Sequence, residues 1–126
     1  MASLPSVESP VPSKISLDDS LNPFFLHPSD NPGSVLVSQI LKGDNYSSWN
    51  RAMKMALIGK NKFGFVDGSI TSSADNDSLS ILSWHHNNNI VSSWLLNLIS
   101  KDIAANIIYV SSAAEIWSGL QERFQQ

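Results

Sequence analysis

Apolar residues recur along this chain at intervals that change from one stretch to the next, and each interval predicts a different element. Across residues 45–60, Tyr46, Trp49, Met53 and Leu57 step forward by three or four, the spacing of one helical face. At ~100° per residue these side chains and Ala56 fall within an arc of about 100°, the stripe a globular helix buries. The pattern predicts an amphipathic helix anchored by a tryptophan. Asp44 or Asn45 can cap its start by accepting hydrogen bonds from the unpaired first-turn amides. Gly59 and Gly64 offer places to stop. Arg51, Met55 and Ile58 lie opposite the stripe, so the helix carries apolar residues on two sides. Two arrangements satisfy this: the helix is sandwiched inside a bundle, or Met55 and Ile58 face another subunit.

A longer helix is predicted from Asp75 or Asp77, as cap, to about Ile99. Ile81, Trp84, Asn88, Val91, Leu95 and Leu98 follow a 3-4-3-4-3 spacing on one face, widened by Ile90 and Trp94. His85, His86, Asn89, Ser93 and Asn97 project to the other side. The adjacent histidines point ~100° apart and cannot chelate one ion together. Asn88 sits in the middle of the apolar stripe, where an unpaired amide would cost roughly 1–3 kcal/mol. It is therefore expected to hydrogen-bond to backbone, at the aromatic turn of residues 63–68. Ser100 caps a third helix over residues 101–109, with Ile103, Ala104, Ile107 and Ile108 inside. Ser112-Ala113-Ala114-Glu115 is a capping box opening a fourth. There Ala113, Ile116, Trp117, Leu120 and Phe124 share a face, and Gly119 costs about 1 kcal/mol relative to alanine. No closing partner follows Phe124, so that face reads as open and the chain as cut short at Gln126.

The remaining stretches lack helical period. Residues 1–20 mix Ser, Pro and Val with isolated apolar residues, too few to offset ordering entropy, and read as a disordered leader ahead of a domain over residues 21–126. Phe24, Phe25 and Leu26 lie between prolines and precede the turn-forming Ser-Asp-Asn-Pro-Gly. This predicts an extended arm tucked onto the core, with His27 a lone loop histidine. Residues 34–41 form a β-branched run expected to be a short strand or extended packing segment. Phe63, Phe65 and Val66 form an aromatic turn that docks on the core, and residues 71–76 a polar loop. The sum is an all-α fold, a small bundle of about four helices with an N-terminal extended arm and room for a short strand or hairpin.

Composition narrows function. Charged residues make up 15% of the chain against the usual ~25%, with net charge −3. Eight scattered Lys and Arg do not make the basic face that phosphate contacts require, so nucleic acid is not an expected partner of this segment. Lys54, Lys60 and Lys62 form only a modest patch, read as solvated surface. The absence of cysteine excludes disulfides and Cys-based zinc sites within the sequence. No apolar run approaches the ~18 residues of a membrane span, and no basic-then-apolar leader opens the chain. A cytoplasmic protein is the default. No nucleophile–base pair, phosphate-cradling glycine loop or carboxylate cluster stands out, so no enzyme, cofactor or small-molecule substrate is expected.

The order of features is nevertheless distinctive. Asn-Pro-Phe-Phe-Leu-His-Pro-Ser-Asp-Asn-Pro-Gly from residue 22 leads to Leu-Lys-Gly-Asp-Asn-Tyr-Ser-Ser-Trp ending at Trp49, then Met-Ala-Leu and Lys-Asn-Lys-Phe-Gly-Phe-Val-Asp-Gly ending at Gly68. Trp84 follows four before Asn88, then Val-Ser-Ser-Trp-Leu-Leu from Val91, then Ser-Ala-Ala-Glu-Ile-Trp-Ser-Gly-Leu-Gln-Glu-Arg-Phe from Ser112. From about residue 20 to the end, this set resembles the N-terminal Gag region of plant Copia-type retrotransposon polyproteins. The resemblance implies a capsid-like helical module that self-associates into virus-like particles around element RNA. It marks Tyr46, Trp49, Met53, Leu57, Gly68, Trp84, Asn88, Val91, Trp94, Leu95, Trp117, Leu120 and Phe124 as motif and core residues. Met55 and Ile58 are the self-association candidates. The chain departs from that pattern in lacking the cysteines of a Gag zinc knuckle, in Asn87 where many relatives carry cysteine, and in Gly119 where a larger polar residue is common. The departures at Asn87 and Gly119 fit a degenerate copy. Asp67-Gly68-Ser69 also fails the Asp-Ser/Thr-Gly order of a retroelement protease. The alternative is a host-recruited interaction module whose groove beside Trp117 and Phe124 takes a peptide or partner helix.

Overall fold

Apolar stripes at helical spacing become helices throughout the computed structural model, which describes residues 21–72, 77–107 and 109–125. The expected leader, most of the polar loop before the second helix, and Ile108 lie outside the described residues. Four α-helices are present among those described: α1 (Tyr46–Gly59), α2 (Ser78–Asn97), α3 (Lys101–Ala104) and α4 (Ala113–Phe124). A 3-10 turn, Phe63–Phe65, follows α1.

The inner stripe of α1 is buried as its spacing requires: Tyr46, Trp49, Met53 and Leu57 are all enclosed. Val91, Trp94 and Leu95 of α2 and Ile116 and Leu120 of α4 complete the core, with Phe65 from the aromatic turn. The rings interlock. Trp49 lies 6.0 Å from Trp117, Phe63 meets Trp117 edge-on at 5.8 Å, and Tyr46 stacks on Phe124 at 5.8 Å. Contacts of this kind add about 0.5–1.5 kcal/mol beyond area burial. The indole Nε1 of Trp49 is buried without a hydrogen-bond partner, so shape alone holds that ring. The face of α4 that its sequence left open is thus covered by α1, α2 and the aromatic turn, with Ala113, Ile116, Trp117 and Leu120 all buried. An opening remains beside each ring at the end of this face, one lined by Trp117, Phe63 and Lys54 and one by Phe124, Tyr46 and Asn50, with Phe124 half-buried against Tyr46.

Several ends differ from the sequence expectation. Asn45 precedes α1 but makes no side-chain cap. Its carboxamide turns back, accepting from the Lys42 amide and donating to the Ile40 carbonyl, both at 2.9 Å. Neither Gly59 nor Gly64 stops the helix. Asn61 does, at φ 60°, with the Asn61 amide donating to the Ile58 carbonyl and the Lys62 amide to that of Leu57. This pair of bonds is a Schellman motif, with asparagine tolerating the left-handed position glycine usually takes. Gly68, at φ +85°, is the glycine whose conformation the following turn requires. Residues 34–41 form no strand. Leu41 alone makes one parallel bridge to Ile99, through bonds of 2.8 Å to the Leu98 carbonyl and from the Ser100 amide. Its partner lies in the three-residue link between α2 and α3, which offers no further extended backbone to pair with. α3 is shorter than expected, with Tyr109 beyond it 93% exposed. At α4, Ser112 Oγ accepts from the Glu115 amide as a capping box demands. The Glu115 carboxylate, however, accepts from the amide and hydroxyl of Ser111. Those bonds hold its carboxyl below the usual range.

Candidate functional site

The outer face of α1 resolves the first ambiguity. Met55 is 62% and Ile58 55% exposed, and Arg51 is exposed beside them, so α1 is not sandwiched. A helix that buries one stripe and presents two large apolar side chains on the other has an unpartnered apolar surface.

The second feature is the segment over residues 21–34. It is not extended. Three tight turns fold it, with backbone bonds from Phe25 to Asn22, Asp30 to His27 and Ser34 to Asn31. Pro23, Pro28 and Pro32 remove amides, so the segment cannot build a ladder and its carbonyls need donors from elsewhere. The helical body supplies them from side chains. Asn61 donates to the Leu21 carbonyl at 3.0 Å, and Lys62 Nζ to those of Pro23 and Phe25 at 2.5 Å. From α2, Asn87 donates to the Phe24 carbonyl at 3.0 Å, Trp94 Nε1 to that of Asn31 at 2.6 Å, and Asn97 to that of Pro32 at 3.0 Å. One ion pair reinforces the clamp, Lys60 to Asp30 at 2.7 Å, with the Asp30 side chain only 1% exposed. Phe24 packs edge-on against Phe65 at 5.8 Å.

Electrostatics follow from burial. Lys62 is enclosed, and desolvation pulls its pKa down to about 8, although Asp30 opposes the shift. For Asp30, burial pushes the pKa up, but the hydrogen bonds from Lys60 and the His27 amide outweigh it and hold the carboxyl below its ordinary value. Lys60 also lies 5.7 Å from the Trp94 ring, and Lys54 5.5 Å from Phe63. The expected solvated basic patch is therefore not one: Lys60 and Lys62 are turned onto the arm by the Schellman ending of α1.

The motif residues of α2 serve mainly as structure. Asn88 is buried and bonds to backbone, but at the start of α4 and not at the aromatic turn. Its Oδ1 accepts from the Ala113 amide at 2.9 Å and its Nδ2 donates to the Ser111 carbonyl at 3.3 Å. Trp84 is half-buried and donates to the Ile70 carbonyl at 2.9 Å. Val91, Trp94 and Leu95 lie in the core. Sequence reasoning missed Asp30, Asn61, Lys62, Asn87 and Asn97 as the arm's binding groups. A signal existed in the proline-rich arm, whose carbonyls had to be met by donors.

Among the described residues no cluster of His, Cys, Asp or Glu is arranged to hold a metal ion. No helix there is long and apolar enough to cross a membrane. A cavity of about 300 Å³ between α1, the aromatic turn and α4 is lined by Asn50, Lys54, Phe63, Val66, Asp67, Trp117, Ser118 and Gln121, and the Ser118 hydroxyl donates to the Glu115 carbonyl. Fold and site together define a small helical bundle whose polar side chains hold its own chain and whose exposed apolar side chains include Met55 and Ile58 on α1 and Leu79 and Leu82 on α2. Residues 27–72, from the arm through α1 and the aromatic turn, match the family model of the Gag-polypeptide of LTR copia-type. No curated protein and no solved structure matches the chain.

Proposed function

We propose that this chain is a Gag-like structural protein of a copia-type element, acting by self-association in the assembly of virus-like particles in the cytoplasm. Its role in this reading is architectural and not catalytic. The observation that carries it is the exposure of Met55 and Ile58 on the outer face of α1, within the segment matched by the Gag family. Two large apolar side chains covered by a second copy contribute about 1.5–3 kcal/mol each. RNA is not the partner of this surface, since Lys60 and Lys62 are engaged with the arm.

The test is sedimentation velocity over a range of concentrations, comparing wild type with a Met55→Asp, Ile58→Asp double variant. Both side chains are exposed, so the variant is expected to keep its helicity and melting point. Association should weaken by roughly 100-fold or more, as the lost burial implies. Identical sedimentation of the two proteins removes the reading.

A further inference from the structure

The arm is bound in the manner of a peptide in a receptor. On its side the contacts are mostly backbone carbonyls: Leu21, Pro23, Phe24, Phe25, Asn31 and Pro32 each accept from a side chain of the body. Three internal turns, with an Asx tie from Asn31 Oδ1 to the Gly33 amide and Ser34 Oγ bonded to the Ser29 carbonyl, shape it locally. Nothing in that list requires the arm and its acceptor to belong to one chain.

Residues 35–40 join the arm to Leu41. They contain no regular element; Val35 is 73% and Ile40 44% exposed, while Leu36 and Val37 rest partly buried against the core. Six residues reach ~20 Å when extended, enough to carry the arm to an adjacent body. We infer that the arm over residues 21–34 is exchanged between copies, each copy's acceptor groove of Asn61, Lys62, Asn87, Trp94 and Asn97 taking the arm of a second copy. Exchange keeps every hydrogen bond between arm and acceptor and the Lys60–Asp30 pair; it draws Leu36 and Val37 from the core and brings the two connecting segments together so that these residues, Val35 and Ile40 gain partners. A short tether gives the closed form an effective concentration in the millimolar range. The exchanged form therefore needs local crowding, which association through the α1 face provides. The inference rests on the self-association proposed above.

The chain has no cysteine, so single thiols report on single positions. Pro32 and Asn97 are exposed and meet through a 3.0 Å bond. The full chain carrying both Pro32→Cys and Asn97→Cys is treated with a short bis-maleimide at micromolar concentration. It should crosslink within one chain, establishing that both variants seat the arm. The Pro32→Cys and Asn97→Cys single variants are then mixed near millimolar concentration. Covalent heterodimer is expected at least tenfold above a control mixture of Asn97→Cys with Ser118→Cys, and should fall away on dilution. Heterodimer no greater than the control overturns exchange, as does failure of the double variant to crosslink internally. Wild-type sedimentation at the same concentrations separates the readings: association without heterodimer removes exchange alone, and a monomer throughout removes both.

Discussion

The arm and the helical core are held to the same helices by opposite means. Core residues such as Trp49, Leu95 and Leu120 are fixed by shape, each buried among apolar neighbours. The arm is fixed by side-chain amides, an indole and two lysines of the body reaching for its carbonyls. Shape complementarity is intolerant of change because interiors pack like crystals. Carbonyl recognition is indifferent to the identity of the residue that offers the carbonyl. The comparison teaches that one small bundle can combine a unique fold with a segment that is bound more as a ligand than as core.

The largest expected effect should break the distinction outright. Trp49→Ala removes the ring that touches Tyr46 and Trp117, and should cost about 3–5 kcal/mol by urea denaturation. That is a large share of a small domain's stability, so core and arm should be lost together. A cost below about 1 kcal/mol would show that α1 is peripheral.

The pH dependence should isolate the arm's buried cation. Lys62 titrates at about 8 in the fold against an ordinary 10.5, because burial disfavours its charge. Between those values the unfolded chain binds more protons, so stability should rise with pH, by up to roughly 3 kcal/mol. The neutral amine keeps two N–H groups for the two carbonyls. Tyr46 acts oppositely: burial raises its pKa above 10.0, so stability should decline as pH passes beyond that value. Urea midpoints at pH 7, 9 and 11 check the rise and fall. A flat profile from pH 8 to 10 would mean that Lys62 is not enclosed by the arm.

The smallest effect should sharpen the comparison most. Asp30→Asn removes the charge facing Lys60, which is itself one-third exposed and can turn to water, so the cost should be about 1–2 kcal/mol. It should fall on the arm alone, with proteolysis after the Phe residues roughly tenfold faster and the melting point of the helices unmoved. Acid should act the same way. Asp30 is held below its ordinary 3.8, so its stabilisation is complete above that value and disappears as pH falls through the lower folded value. If arm cleavage and melting shift together, arm and core form one cooperative unit.

What the sequence disclosed divides along the same line. The stripe from Tyr46 to Leu57, the long α2 and the Ser112 cap were legible because burial writes a period into apolar residues. The clamp was not legible, because amides and lysines at a helix end have the same composition whether they face water or a carbonyl. Asn87 and Asn88 illustrate the limit. Both are buried, yet one faces the arm and the other α4, and only the three-dimensional course of those segments separates them. The β-branched run before Leu41 misled in the other direction, since a strand needs a partner of its own length and only the short link between α2 and α3 was adjacent.

The Schellman ending of α1 ties those two halves of the molecule to a common phase. Tyr46 to Leu57 point inward, and Lys60, Asn61 and Lys62 reach the arm, only because a fixed number of residues separates them along one helix. Inserting or deleting a single residue between Leu57 and Asn61 would rotate the clamp by ~100° against the stripe. The core would keep its grip while the arm lost Lys60, Asn61 and Lys62, keeping only the donors of α2. This part of the chain can therefore drift by substitution, but any change in length there would remove one whole side of the clamp at a stroke.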